Sequence, residues 1–173
     1  MSPVITLIGV GNRWRGDDGV GWAVVASAGR RLGDSVAVIE ADGEPSRLID
    51  AWTGVDLAVV VDGVTSGAEP GTIHVWRGDA DLGRSSRSNG SHSLGLADAV
   101  ALGRAVQRLP RQLVVVGVEV GETSTGNELS PAVVANVEQA AELVAEIVAL
   151  WTSDPAVQAG SRATSSEAPG SIE

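Results

Sequence analysis

The chain has 173 residues, 43% of them hydrophobic, which suits one globular domain with a substantial core. Its 22 acidic against 12 basic residues leave a formal net charge of -10, which argues against broad electrostatic binding to nucleic acid or to anionic lipid. Lysine and cysteine are both missing, so a Schiff-base lysine, a P-loop lysine, a cysteine nucleophile, a disulfide and a thiolate metal site are all excluded.

The apolar run Val4-Ile5-Thr6-Leu7-Ile8 predicts a buried strand over 4–9. It leads into Gly9-Val10-Gly11-Asn12-Arg13-Trp14-Arg15-Gly16-Asp17-Asp18-Gly19-Val20-Gly21, and then into a helical periodicity over 19–32 that Gly33 stops. This order reads as strand, tight glycine turn, then a helix with two adjacent carboxylates at its start. A second strand is expected over 36–39, and Pro45 suits the first turn of a short helix over 45–52. The third strand, over 56–61, runs up to Asp62-Gly63. Alternation over 72–77 predicts a half-exposed or edge strand, in which His74 is structural or exposed. Residues 78–90 read as a polar loop, 94–109 as an amphipathic helix closed by Pro110, and 113–118 as the fifth strand. Ser130-Pro131 opens a last helix that runs to about residue 151. From 152 to 173 the periodicity is lost, and a disordered tail is expected behind a domain spanning 1–151.

Strands that alternate with helices and are nearly continuous in Val, Ile and Leu predict a three-layer α/β domain. Its sheet should be mostly parallel and doubly wound, with about five strands flanked by helices. Ligands of such sheets sit at the carboxyl ends of the strands. Three features fall there: the loop over 11–18, the stretch Ala41-Asp42-Gly43-Glu44, and Asp62-Gly63. No apolar stretch reaches the roughly 18 residues needed to cross a bilayer. Nor does a basic segment precede a long apolar one at the N-terminus, so the cytoplasm is the expected location.

Three chemistries compete for that sheet edge. A dinucleotide site would use Gly9-x-Gly11 and an acid such as Glu40, but Trp14 stands where the third glycine belongs. Two adjacent carboxylates would also repel a pyrophosphate. A serine hydrolase would need a Gly-x-Ser-x-Gly elbow, which the chain lacks. A metal site would draw on Asp18, Asp62 and His92, all of which the topology brings to one edge of the sheet. Two carboxylates and one imidazole with positions left open suit a borderline divalent ion that activates water. Each residue also has a plainer use. Asp17 or Asp18 suits a helix N-cap, Asp62 a turn before glycine, and His92 a helix start. For Trp14 and Trp76, core packing is the expectation, with a substrate-contacting surface as the alternative.

The motif Gly9-Val10-Gly11-Asn12-x-x-x-Gly16-Asp17-Asp18-Gly19-x-Gly21 resembles the opening motif of the hydrogenase maturation proteases. Val60-Val61-Asp62, Ser91-His92-x-x-Gly95-Leu96 and Val115-Val116-Gly117-Val118-Glu119 resemble the family's later landmarks in the same order, so that the likeness spans about residues 4 to 151. The resemblance implies an endopeptidase that trims the C-terminus of a nickel-iron hydrogenase large-subunit precursor. It implies one antiparallel strand, for which 72–77 is the choice. It also implies that two acids and a histidine hold a metal, and by motif position these are Asp18, Asp62 and His92. Some members carry Glu at the first of these, so Asp18 is a shorter variant. On this view the three residues are both catalytic and metal-binding, and the metal is nickel supplied by the precursor rather than a permanent cofactor. One carboxylate is then a candidate general base, and N–H groups of the glycine-rich loop are candidate oxyanion donors. The precursor is the expected partner, with no nucleic acid and no membrane. Two rival readings share the scaffold: a nickel-checkpoint protein that binds the precursor without cutting it, and a different metal-dependent hydrolase.

Overall fold

The computed structural model describes residues 2–78, 91–121 and 126–157, and of residues 91–94 the backbone alone. Five strands form one sheet: β1 (Ile5–Val10), β2 (Ala37–Ala41), β3 (Leu57–Val64), β4 (Ile73–Arg77) and β5 (Gln112–Glu119). The helices are α1 (Val20–Leu32), α2 (Pro45–Trp52), α3 (Ser91–Ala105) and α4 (Pro131–Thr152), with a short 3-10 turn over Gly16–Gly19 ahead of α1. The order across the sheet is β2-β1-β3-β5-β4, parallel throughout except for β4, which runs antiparallel to β5 at one edge. This is the three-layer, mostly parallel α/β architecture that the alternation predicts, and the strand over 72–77 is the antiparallel one.

The apolar runs of β1, β3 and β5 lie in the middle of the sheet because helices cover both of its faces. Leu57, Val59 and Val61 of β3 point to the side of α1 and α4, where Val24, Val25, Ala28, Ala140, Val144 and Ile147 meet them. Ala58 and Val60 point to the other side, against Leu48, Ile49 and Trp52 of α2 and Leu96, Ala99 and Val100 of α3. The chain leaves β1 toward β2 on one side, then returns across β1 to β3. The loops after β1 and β3 therefore diverge at the crevice between them, the switch point at which such sheets bind ligands.

Two expectations move. α3 begins at Ser91 and ends at Ala105, not at 94 and 109. Gln107 takes a left-handed backbone (φ 56°), so that the Arg108 N–H reaches back to the Gly103 carbonyl at 2.7 Å and the Gln107 N–H to Arg104 at 3.2 Å. That closure stops the helix before Pro110, with Gln where Gly or Asn is usual. Likewise β3 does not end ahead of Asp62. It runs on to Val64 because Asp62, Gly63 and Val64 continue the ladder with Gly117, Val118 and Glu119. The expected loop over 78–90 lies, from residue 79 on, outside the described residues, as does the expected tail from residue 158. Among the described residues no helix is long and apolar enough to cross a membrane.

Candidate functional site

The loop after β1 is built by close backbone contact. Gly11 sits at φ 113°, and a Cβ there would run into the Asp18 carbonyl oxygen. A Cβ at Gly21 would meet the carbonyl oxygens of Val10 and Val61, so only glycine lets the start of α1 settle onto β1 and β3. The loop is then tied internally. The Asn12 N–H donates to Asp18 Oδ2 at 3.0 Å, and Asn12 Oδ1 accepts from the Trp14 N–H at 2.9 Å. The Arg15 N–H donates to the Asn12 carbonyl at 3.0 Å, the Asp18 N–H to that of Arg15 at 3.1 Å, and the Gly11 N–H to Ala41 at 2.9 Å. These five N–H groups are engaged, so they are poorly placed to serve as the oxyanion donors that the loop's composition invites.

Asp17 and Asp18 part company in this turn. Asp17 is 2% exposed, and its carboxylate accepts from the Ser130 N–H at 2.6 Å and from Ser130 Oγ at 2.9 Å. Ser130 is the residue ahead of Pro131, and it makes no side-chain cap bond to its own helix. Asp17 therefore does not cap α1; it clamps the start of α4 to the start of α1. Losing two part-buried bonds to a carboxylate, one of them from a backbone donor, costs more than losing a surface cap. Asp17→Ala is expected to destabilise the protein by about 2–3 kcal/mol, with Asp17→Asn intermediate. Urea denaturation of the three proteins checks this, and a loss below ~0.5 kcal/mol for Asp17→Ala would show that the clamp is dispensable.

Asp62 follows Ala58 and Val60 on the face of the sheet that α2 and α3 cover. It is 2% exposed. Burial pushes its carboxyl up to about 8, the Asp18 charge adds to that, and the hydrogen bond from the Gly63 N–H pulls the other way. Asp62 thus lies close enough to Asp18 to feel its charge, and burial favours the neutral form of its carboxyl. A divalent cation between them would compete with a proton on Asp62 and offset the acids' charge, so the two carboxylates are compatible with the borderline divalent ion expected from the sequence. His92 lies in the first turn of α3, with its side chain outside the described residues. Further along that helix, a Cβ at Gly95 would meet the Gly43 carbonyl in the stretch after β2, which brings α3 to the same edge of the sheet. Asp18 and Asp62 are therefore within electrostatic reach of each other, and the helix that carries His92 packs on the stretch after β2. Among the described residues no group of three His, Asp or Glu forms a metal-binding cluster.

One polar cluster escaped the sequence reading. Asp62, Gly117 and His74 occupy a single row across β3, β5 and β4. His74 Nε2 lies 3.1 Å from Glu119 Oε2, and its ring stacks on Trp76 at 5.6 Å between centroids. Glu119 is buried; burial pushes its carboxyl up, but the Ser66 hydroxyl, the N–H groups of Ser66 and Gly67, and His74 outweigh this and hold it below the usual range. The cluster fastens the segment after β3 to the edge strand. An acid closing an otherwise apolar strand was the available signal, as it was for Asp62. Glu40, the acid of the dinucleotide reading, instead lies 3.6 Å from Arg13.

A doubly wound α/β domain with carboxylates at its switch point belongs to a class that binds ligands at the carboxyl edge of the sheet. The family model described as hydrogenase maturation protease matches residues 24–147, a span that begins after the loop carrying Asp18. The chain belongs to this family of proteases. It is 31% identical over 144 residues to the hydrogenase expression/formation protein HupM of Azotobacter chroococcum mcd 1, covering 80% of this chain and 68% of that one. To the hydrogenase 2 maturation protease of Escherichia coli K12 it is 28% identical, over 81% of this chain and 87% of the other. Among solved structures, the hydrogenase maturating endopeptidase HybD from E. coli superposes with a TM-score of 0.70 at 26% identity, covering 82% of this chain and 89% of that one.

Proposed function

We propose that the protein removes the C-terminal extension of a nickel-iron hydrogenase large-subunit precursor after nickel insertion, and that Asp18, Asp62 and His92 dock the nickel the precursor carries. The observation that carries this reading is the pairing of Asp62 with Asp18. A buried carboxyl raised to about 8 beside a second acid is an arrangement that a cation relieves and an apolar core does not need. In this reading the metal belongs to the substrate, and it supplies polarisation of the scissile carbonyl or of a water. Asp18 is held in place by the Asn12 N–H, and Asp62 by its ladder position opposite Gly117, so both carboxylates are oriented before substrate arrives. Asp62 gives up its proton as the metal docks, which leaves two anionic acids at the site. One of them then serves as general base toward the attacking water.

Incubating the pure protein with nickel-loaded precursor tests the reading. The expected result is a single shortening at the precursor's C-terminus, seen by intact mass and insensitive to serine-directed reagents. Stable binding without shortening would favour the checkpoint reading, and the absence of any interaction would favour a different hydrolase.

A further inference from the structure

Trp14 is the outlier among the five tryptophans. Trp52 is fully buried, and Trp22, Trp76 and Trp151 are partly covered, whereas Trp14 is 68% exposed. Core packing, the expectation from sequence, therefore does not hold for it. Its exposure is not that of a loose loop. Asn12 Oδ1 receives the Trp14 N–H, the next N–H returns to the Asn12 carbonyl, and the Asn12 N–H is bound to Asp18. The Arg13 guanidinium lies 5.0 Å from the Trp14 ring centroid and 5.3 Å from that of Trp22, while its Nε sits 3.6 Å from Glu40. Arg13 thus links the indole to α1 and β2, with its charge answered by Glu40. The molecule holds a large apolar ring in water, braced from behind, three residues from Asp17 and four from the candidate ligand Asp18. Tryptophan held rigidly at a rim is the residue type that most often dominates binding to a protein partner, because little side-chain freedom remains to be lost on contact.

We infer that Trp14 is a substrate-binding residue, a platform on which the polypeptide substrate lays an aliphatic or aromatic side chain as its metal enters between Asp18 and Asp62. This rests on the proposed reading of the site as a protease that recognises a folded, metal-bearing precursor. The ring touches the substrate away from the reacting atoms, so its contribution is to binding rather than to the chemical step. Arg13 is a positioning residue that acts through the ring.

The test compares wild type, Trp14→Ala and Trp14→Phe on nickel-loaded precursor. Trp14→Ala is expected to raise KM about tenfold with kcat within about twofold, and Trp14→Phe to recover most of the loss. The melting temperature should not change, since the ring is solvent-exposed. An unchanged KM in Trp14→Ala, with wild type cutting normally, would overturn this inference and leave the protease reading standing. A raised KM that tracks a lowered melting temperature would also overturn it, by assigning Trp14 to the folding of the loop. If wild type does not cut the precursor, the protease reading falls and this inference falls with it.

Discussion

Asp18→Ala, Asp62→Ala and His92→Ala are each expected to lower precursor cleavage by at least about a hundredfold while leaving a folded protein. The scale follows from metal sites in general, where removing even an outer partner of a ligand costs about 10–100-fold. Asp18 makes its described bond to a loop N–H, and Asp62 sits in a strand whose ladder is made by backbone atoms. Asp17→Ala is the control beside them, because Asp17 and Asp18 are chemically alike and adjacent. Loss of Asp17 is expected to act on stability through Ser130, and loss of Asp18, on the proposed reading, on the reaction. Circular dichroism melting and a cleavage assay on all four variants separate the two effects. Should Asp17→Ala abolish cleavage at a temperature where it is fully folded, and Asp18→Ala retain it, the division of labour within the pair is reversed.

The second large effect is on stability and runs in the opposite direction. Asp62→Asn is expected to make the metal-free protein more stable at neutral pH while removing its activity. The folded-state pKa of Asp62 is raised from 3.8 to about 8, chiefly by burial and then by the Asp18 charge. A group raised in this way favours the folded state fully below the unfolded pKa, and that contribution is lost as pH climbs toward the folded value. Wild type should therefore lose stability between pH 4 and pH 8, and the loss should level off above that. Asparagine does not titrate, so the difference between the two proteins isolates the contribution of Asp62. At pH 7.5 the variant is expected to be more stable by about 5 kcal/mol, with the gap closing near pH 4. Denaturant titrations at pH 4.5, 6 and 7.5 measure it. A gap that stays constant across this range would remove the buried, protonated carboxyl from the account.

The parts of the fold that could be read in advance are those where one local rule dominates. The runs around Val59 and Val115 are apolar without alternation because both faces of the central strands are covered, so neither was in doubt as a strand. Pro45 and Trp52 bound α2 as its sequence predicts, since Glu44 caps it from just outside by accepting from the N–H groups of Ser46 and Arg47. What could not be read depends on distant partners. Asp17 meets Ser130 across 113 residues, and no spacing rule connects them. His74 meets Glu119 only because β4 turns back antiparallel and places it opposite Gly117. Gln107 closes α3 in a backbone conformation that its residue type does not announce. For the candidate site, the placement of Asp18 and Asp62 at one end of the sheet was legible because one follows β1 and the other closes an apolar run within β3, on the side where doubly wound sheets hold ligands. The exposure of Trp14 stood only as the alternative to core packing, since a tryptophan is more often covered than exposed.

On the proposed reading the precursor's nickel is the feature recognised. Cleavage rates on nickel-loaded and nickel-free precursor, measured side by side with the same enzyme preparation, test it most directly. Rapid shortening of the loaded precursor is expected, and none of the nickel-free one, with activity appearing once nickel is restored to the latter. Equal cutting of both forms would contradict it.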